Sequence, residues 1–221
     1  MNALILCNGE PPSDDLLIRH LQQASLIICT DGAAGWVQER GCHPQVLIGD
    51  MDSCDDRVGR TSTFAVAGPA SLEDRPTREC EIIPCGSHEQ QENTDAEKAV
   101  LLALERGATR IVLLGATGQR LDHTLGNVWL AARYHDRAQV LLADEQCELR
   151  VVSGSCELRP EPGSLISLLA LTADARLDTE GLKWPLHGPL EVGTRGLSNE
   201  PSGETVRIEV HEGMVAVMVV R

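Results

Sequence analysis

Four acidic residues stand where carboxylates commonly do chemistry, shortly after apolar runs or at the start of a helix. These residues are Asp31, Asp50, Asp52 and Asp95. The first follows the apolar run 26–29, the next two follow 46–48, and the last lies in 94–97, whose Thr-Asp-Ala-Glu pattern is typical of a capping box. In open α/β sheets, ligands gather outside the carboxyl ends of the strands. The positions therefore indicate a ligand site built from these carboxylates.

Asp50 and Asp52 are two residues apart, so in extended backbone their side chains point to the same side. Two carboxylates held together repel by about 1 kcal/mol or more, depending on the local dielectric, and a divalent cation removes that cost. A ligand set made only of oxygens favours Mg²⁺ over zinc, and Mg²⁺ commonly bridges carboxylates to substrate phosphates. A turn with an aspartate N-cap explains the pair equally well at this point, and Asp95 taken alone fits a partner for a helix dipole.

A glycine-bearing turn, Gly115-Ala-Thr-Gly118, follows an apolar run and precedes a helical pattern. Small residues let the backbone approach an anion, and the amides of a helix N-terminus favour phosphate. Arg120 is placed to clamp phosphate oxygens. The turn matches neither the Walker A pattern nor G-x-G-x-x-G, and His123 taken alone is more often a structural histidine than a catalyst.

Trp184 lies in Gly-Leu-Lys-Trp-Pro, and the polar run 194–200 contains Ser198 and Asn199. One interpretation is a packed tryptophan beside a solvated loop. The other is an aromatic plate over a flat or cationic ring, with the serine and the asparagine reading ring nitrogens.

The first two thirds of the chain alternate strands with helices. The strands are expected at 3–7, 26–29, 46–48, 110–114 and 139–143, with helices after Ser13, through Trp36, from 94 to Gly107 and over 121–134. Because these strands are continuous apolar runs, the pattern is typical of a mostly parallel sheet with flanking helices, Rossmann-like in kind. Residues 54–79 show weak periodicity, and one short strand is expected near 63–66.

After residue 146 the sequence pattern changes. It predicts short strands separated by Pro and Gly turns, and it contains no helical pattern. The strand candidates are 148–152, 165–171, 175–179, 205–210 and 214–220. This predicts an all-β sandwich or open barrel. The expected division is an α/β domain at 1–145 and a β domain at 146–221.

The bulk properties exclude some classes of partner. The formal net charge of −14 argues against nucleic acid and against anionic membrane surfaces, and no apolar run is long enough to span a bilayer. The eight cysteines form no C-x-x-C pair and no zinc-ribbon spacing. These features predict a cytoplasmic protein with reduced thiols.

Five segments, in this order, resemble the thiamine pyrophosphokinase family across nearly the full length of the chain. They are Thr30-Asp-Gly-Ala-Ala34, Ile48-Gly-Asp-Met-Asp-Ser53, Glu92-Asn-Thr-Asp95, the run from Gly115 to His123 with Leu125-Gly-Asn127, and Ser198-Asn-Glu200. The α/β-then-β division also matches. The resemblance implies an enzyme that transfers pyrophosphate from ATP to the hydroxyl of thiamine, giving thiamine diphosphate and AMP. It also implies a homodimer whose active sites form between subunits.

The resemblance assigns a role to each candidate residue. Asp50, Asp52 and Asp95 would be the Mg²⁺ ligands, with Asp31 beside them. The ATP and reaction site would be lined by Gly32, Gly118, Arg120, Asp122 and His123. Thiamine would be bound by Trp184, Ser198 and Asn199, with Asp122 near the reacting groups. Either Asp95 or Asp122 would accept the hydroxyl proton.

The chain departs from the family pattern at three positions. Ala33 and Gln119 replace glycines that the family usually shows, and Glu92 stands where aspartate is common. Two other functions fit part of the pattern. One is a related pyrophosphokinase acting on another hydroxymethyl heterocycle, such as a pterin. The other is a non-catalytic sensor that binds nucleotide or thiamine and makes no AMP.

Overall fold

The computed structural model of the chain describes residues 1–50, 80–85 and 93–221. Contacts between Cα atoms divide the chain into two compact units, Met1–Leu130 and Ala131–Arg221. The strand predicted near 63–66 lies outside the described residues, as do Asp52 and Glu92.

The first unit contains a parallel sheet. Its strands are β1 (Asn2–Leu6), β2 (Leu26–Thr30), β3 (Val46–Gly49), β4 (Glu81–Pro84) and β5 (Arg110–Leu114). They lie in the order β4-β3-β2-β1-β5, and each neighbouring pair is parallel. The chain thus builds outward from β1 to β4 and then returns to the other side of β1. The crevice between β1 and β5 is the point where the strand order reverses, which is where such sheets bind ligands.

Helices follow the strands of this sheet. They are α1 (Asp14–Gln23), a 3₁₀ turn (Asp31–Ala33) that runs into α2 (Ala34–Glu39), α3 (Asp95–Glu105) and α4 (Leu121–Arg133). The predicted caps are confirmed: the Ser13 hydroxyl accepts a hydrogen bond from the Leu16 amide, and the Thr94 hydroxyl accepts one from the Glu97 amide. Such caps satisfy amides that a helix leaves unpaired at its first turn. Because α3 packs against β1, β2 and β3, the Thr94 cap fixes where Asp95 stands relative to the sheet.

The second unit contains two antiparallel sheets. Its strands are β6 (Gln139–Ala143), β7 (Cys147–Val152), β8 (Ser155–Leu158), β9 (Leu165–Ala170), β10 (Arg176–Glu180), β11 (His187–Pro189), β12 (Val206–Glu212) and β13 (Val215–Val220). One sheet has the order β6-β7-β13-β9 and the other β11-β10-β12-β8.

Alternating side chains of the two sheets form one buried cluster. Ile166 and Leu168 of β9, and Val206 and Ile208 of β12, are almost fully buried, and they belong to the same cluster. Strand β12 alternates buried and exposed positions, which is the two-residue period of a strand with one face in a core. The predicted fold class, a parallel α/β sheet followed by an all-β sandwich, is confirmed.

Three strands had no signal in the sequence. They are β4, β8 and β11, each of three or four residues. β4 is largely exposed, so it lacks the apolar run that marks a buried strand. β11 contains Gly188 and Pro189, which usually indicate a turn. No helix among the described ranges has the length and apolarity needed to cross a membrane.

Candidate active site

A cavity of about 260 Å³ lies in the first unit, outside the carboxyl ends of its parallel strands. Segments from after β1, β2, β3 and β5 and the start of α3 contribute to its wall. The predicted residues among its lining are Asp31, Gly32, Asp50, Asp95, Gly118, Arg120 and His123. Residues from four separate stretches therefore meet at the point where the strand order reverses.

The segments after β1 and β5 are joined by backbone hydrogen bonds that continue the strand pairing. The Cys7 amide donates to the Leu114 carbonyl at 2.8 Å, the Gly9 amide to the Gly115 carbonyl at 2.6 Å, and the Glu10 amide to the Thr117 carbonyl at 2.8 Å. A Cβ on Gly9 would overlap the carbonyl oxygens of residues 115 and 117. Glycine at position 9 is thus required for this wall of the cavity to close.

Gln119 stands where the family usually has glycine. Its φ is +49°, in the left-handed region that disfavours residues with a side chain. Its side-chain amide donates to the Gly9 carbonyl at 2.9 Å. The side chain therefore adds a fourth link between the two segments, which offsets part of the cost of the backbone conformation.

Asp31 is buried, and its position depends on a glycine of the next strand. Its Oδ1 accepts a hydrogen bond from the Gly32 amide at 2.6 Å. A Cβ on Gly49 would lie 2.5 Å from Asp31 Oδ2 and 2.6 Å from Oδ1, closer than real Cβ atoms come to oxygen. The Asp31 carboxylate thus fills the space that a side chain at position 49 would occupy, next to the half-buried Asp50.

Asp95, the first residue of α3, has a lysine partner one turn along the helix. Lys98 Nζ lies 3.1 Å from Asp95 Oδ1, and the Lys98 side chain is only 11% exposed. Burial lowers the pKa of Lys98, but the hydrogen bond and the charge of Asp95 more than offset this, and the net pKa is raised. The Lys98 ammonium therefore remains charged at neutral pH.

Arg120 and Asp122 form a second ion pair, which is exposed. Arg120 Nε lies 3.1 Å from Asp122 Oδ1, and Arg120 Nη2 lies 2.5 Å from Asp122 Oδ2. The hydrogen bond from Arg120 lowers the pKa of Asp122 to about 2. Arg120 lines the cavity, whereas Asp122 is not among its lining residues.

The carboxylates offer oxygen ligands of the kind that Mg²⁺ prefers. Asp31, Asp50 and Asp95 face one cavity, and glycine at position 49 leaves room for the first of them. Within residues 1–50, 80–85 and 93–221, no three acidic, His or Cys side chains come close enough to hold an ion. Asp52 lies outside these ranges. The donor chemistry of the cavity fits the predicted metal in type.

The predicted thiamine-binding residues lie in the second unit. Trp184 is 52% exposed, and the Lys183 ammonium lies 4.6 Å from the centroid of its ring. Asn199 is buried, and its side chain accepts from the Trp184 amide at 3.1 Å and donates to the Trp184 carbonyl at 2.6 Å. Ser198 is exposed, with a φ of +55°, and its amide donates to the Ser167 hydroxyl. Asn199 thus holds the backbone that presents the tryptophan.

Several residues of the cavity were given no individual role from the sequence, although some lie in the segments that carry the resemblance. They are Cys7, Asn8, Gly9, Thr30, Thr94, Ala96, Gly115, Ala116, Gln119 and Asn127. The first three follow an apolar strand, so the rule that singled out Asp31 applies to them too. Asn127 is buried, and its amide donates to the Ala116 carbonyl at 2.7 Å. It therefore fixes the glycine-bearing turn from within α4.

Comparisons with known proteins agree with this architecture. The family model described as thiamin pyrophosphokinase, catalytic domain, matches residues 17–142, and that described as thiamin pyrophosphokinase, vitamin B1 binding domain, matches 155–215. Thiamine pyrophosphokinase 1 of Arabidopsis thaliana is 26% identical over 83% of this chain and 72% of its own length. Thiamine pyrophosphokinase 1 of Oryza sativa subsp. japonica is 28% identical over 84% and 75%.

A solved structure shows that the fold is also shared. The crystal structure of a thiamin pyrophosphokinase family protein from Enterococcus faecalis superimposes with a TM-score of 0.80. It is 23% identical and the match covers 100% of this chain and 99% of that one. The predicted resemblance is confirmed.

Proposed function

The chain belongs to the thiamine pyrophosphokinase family, and we propose that it transfers pyrophosphate from ATP to the hydroxyl of thiamine. The products are thiamine diphosphate and AMP. The observation that carries this proposal is the single cavity at the reversal of strand order, into which carboxylates from three separate segments converge. Transfer of this kind depends mainly on positioning and on neutralising charge rather than on covalent chemistry by the protein.

The triphosphate of ATP binds along the glycine-bearing wall of the cavity. Gly32 and Gly118 let the segments of this wall pack closely, since a Cβ on Gly32 would lie 2.4 Å from Asn8 Nδ2 and one on Gly118 would lie 2.7 Å from the Glu10 side chain. Arg120 and His123 supply donors at the same wall. Arg120 leaves its ion pair with Asp122 and binds phosphate oxygens instead. Both side chains of the pair are exposed, so little free energy is lost when they separate.

Asp50, Asp52 and Asp95 would hold magnesium, with Asp31 beside them. The metal would draw charge from the triphosphate. The described carboxylates support this assignment by facing one cavity, and the acidic wall needs a cation before it accepts a polyanion.

One aspartate accepts the proton of the thiamine hydroxyl, and the two candidates remain Asp95 and Asp122. In this conformation each is held by a cation, Asp95 by Lys98 and Asp122 by Arg120. A carboxylate whose pKa is about 2 is a weak base, so Asp122 gains basicity only after Arg120 leaves it.

Trp184, Ser198 and Asn199 bind thiamine, with the exposed tryptophan ring stacking on one of its rings. We propose that the chain forms a homodimer and that these residues serve the active site of the partner subunit. An apolar stripe on α4 supports a second copy: Leu121, Leu125 and Trp129 recur every fourth residue and are 74%, 53% and 55% exposed. The enzyme works in the cytoplasm, where the seven described cysteines, none of them in a disulfide, stay reduced.

Incubation of the protein with ATP, Mg²⁺ and thiamine tests the proposal. Thiamine diphosphate and AMP should appear in equal amounts, should disappear with EDTA, and should return with added Mg²⁺. A hydroxymethyl pterin offered in place of thiamine should give no AMP. Binding of ATP and thiamine without AMP would instead indicate a sensor, and AMP with the pterin alone would indicate the related pyrophosphokinase.

A further inference from the structure

The most enclosed ion pair at the cavity joins Asp95 to Lys98. Lys98 itself is not among the residues that line the cavity. Its ammonium also hydrogen bonds with the thiol of Cys85, which directly follows β4. Its side chain is 11% exposed, against 31% for Asp95, so the pair is poorly screened by solvent.

Lysine is rare in this chain. Lys98 and Lys183 are its only lysines, and the rest of its 19 basic Lys and Arg residues are arginines. The two side chains are not equivalent. Arginine holds a carboxylate through a planar fork of two hydrogen bonds, whereas lysine offers a compact point charge with rotatable donors. A lysine at this position therefore suits an ion pair that must be exchanged for another.

We propose that Lys98 is a positioning residue that occupies the Asp95 carboxylate until metal and nucleotide arrive together. The inference deepens the proposed function, because it rests on Asp95 as a metal ligand. A metal ion that binds alone has to displace the Lys98 ammonium from Asp95. The ammonium is then enclosed without a counter-charge, which costs free energy. A metal ion that comes with a triphosphate brings anionic oxygens, and these give the displaced ammonium a new partner. Lys98 thus couples the binding of the two.

A purely structural ion pair predicts something else. A lysine three residues after an aspartate stabilises a helix by a few tenths of a kcal/mol. If that were its only role, removing the ammonium would lower thermal stability slightly and change the affinity for metal by the same factor with and without nucleotide. The coupling role predicts that the affinity for metal alone rises, because the competitor for Asp95 is gone, and that nucleotide then raises it less than in wild type.

The test is a titration with Mn²⁺, a magnesium substitute whose free concentration is read from its paramagnetic resonance signal. Wild type, Lys98→Met and Arg106→Met are compared with and without a non-hydrolysable ATP analogue. Arg106→Met is the matched control, because it also removes one cation next to α3. Arg106 pairs with Glu81 at 2.5 Å at the opposite end of that helix.

Lys98→Met should bind Mn²⁺ alone about tenfold more tightly than wild type, as expected for removal of a poorly screened competing charge. The analogue should then improve its Mn²⁺ affinity much less than it improves that of wild type. Arg106→Met should follow wild type in both titrations. Unchanged Mn²⁺ affinity in Lys98→Met would overturn the inference.

Lys98→Arg provides a second test of the coupling role if Lys98→Met does not fold. The arginine fork should hold Asp95 more firmly, so Mn²⁺ alone should bind more weakly than to wild type, and tighter or equal binding would count against the coupling role. The proposed metal site fails separately. If wild type binds no Mn²⁺ even with the analogue, the assignment of Asp95 as a ligand is wrong, and the inference falls with it.

Discussion

The two units hold their candidate site residues by different means. In the first unit, backbone geometry does this: hydrogen bonds that extend β1 and β5 close one wall of the cavity, and glycines leave room where the segments approach. In the second unit a single buried side chain holds the candidate site residue in place. Asn199 satisfies both backbone groups of Trp184 and also accepts from the Glu200 amide at 3.0 Å.

The difference follows from the chemistry of the ligand that each unit is proposed to bind. A highly charged triphosphate needs fixed amides and paired charges, because electrostatic stabilisation is effective only when the groups are already in place. A flat organic ring needs an exposed aromatic surface held in one orientation. Substitutions should therefore act through steric exclusion in the first unit and through lost hydrogen bonds in the second.

The largest effect is expected from Gly49→Ala. The new Cβ would lie 2.5 to 2.6 Å from the carboxylate oxygens of Asp31, so that side chain has to move. A displacement of about 1 Å in a site of this kind costs about 100-fold in rate. We expect kcat/KM to fall by about that factor, as measured by AMP formation, while the variant remains folded by circular dichroism.

Gly35→Ala is the matched control. Gly35 lies in α2 with no atom within 4 Å of where a Cβ would stand, and alanine in a helix is more stable than glycine by about 0.5–1 kcal/mol. Activity should be unchanged and the thermal midpoint should rise. Near-normal activity of Gly49→Ala would show that the position of Asp31 does not matter.

Asn199→Ala should test the second unit, with a smaller effect on the reaction. The change leaves the Trp184 amide and carbonyl without their partner in a part-buried setting, which costs about 1–2 kcal/mol of folding free energy. Because the loop no longer holds the tryptophan, the KM for thiamine should rise while the KM for ATP stays close to wild type. Chemical denaturation and steady-state kinetics measure the two effects.

Asn2→Ala provides the comparison for that variant. The Asn2 side chain makes an exposed hydrogen bond to the Gln23 carbonyl at 3.3 Å, so its loss should change stability by no more than about 0.5 kcal/mol. If Asn199→Ala were as mild as Asn2→Ala, or if it raised the KM of both substrates equally, the assigned role of Asn199 would be wrong.

The sequence was sufficient to predict that three of the carboxylates lie close together. Asp31, Asp50 and Asp95 each follow a strand or open a helix, and the rule that parallel strands direct ligands to their carboxyl ends needs no coordinates. The resulting expectation that these side chains face a common space agrees with the cavity. The alternation of strand patterns likewise predicted the two-part fold.

The side-chain contacts that hold the site residues in place could not be predicted from the sequence in this way. The Lys98 ion pair and the Gln119 hydrogen bond depend on the rotamers of long side chains, which leave no periodic pattern in a sequence. Gln119 also adopts a left-handed φ that is normally assigned to glycine, so residue type gave the opposite signal. Asn199 was interpreted as a reader of ring nitrogens, and only the fold reveals how much of its amide is used by the backbone of Trp184.

The smallest effects are expected around the ring of Trp184. Trp184→Ala removes a stacking surface worth on the order of 1 kcal/mol, so the KM for thiamine should rise about fivefold, with little change for ATP. An unchanged KM for thiamine would remove Trp184 from the site.

Lys183→Met should have a weaker effect on the same constant. The Lys183 ammonium lies over the Trp184 ring and is neutralised by Glu200 Oε2 at 2.8 Å, so it repels a cationic ring only slightly. Its main contribution is to steady the tryptophan, and its loss should raise the KM for thiamine about twofold. Lys183→Arg keeps a cation over the ring and should match wild type. A fall in KM for Lys183→Met would mean that repulsion outweighs support, so that the second unit, like the first, is controlled by the charges around its ligand.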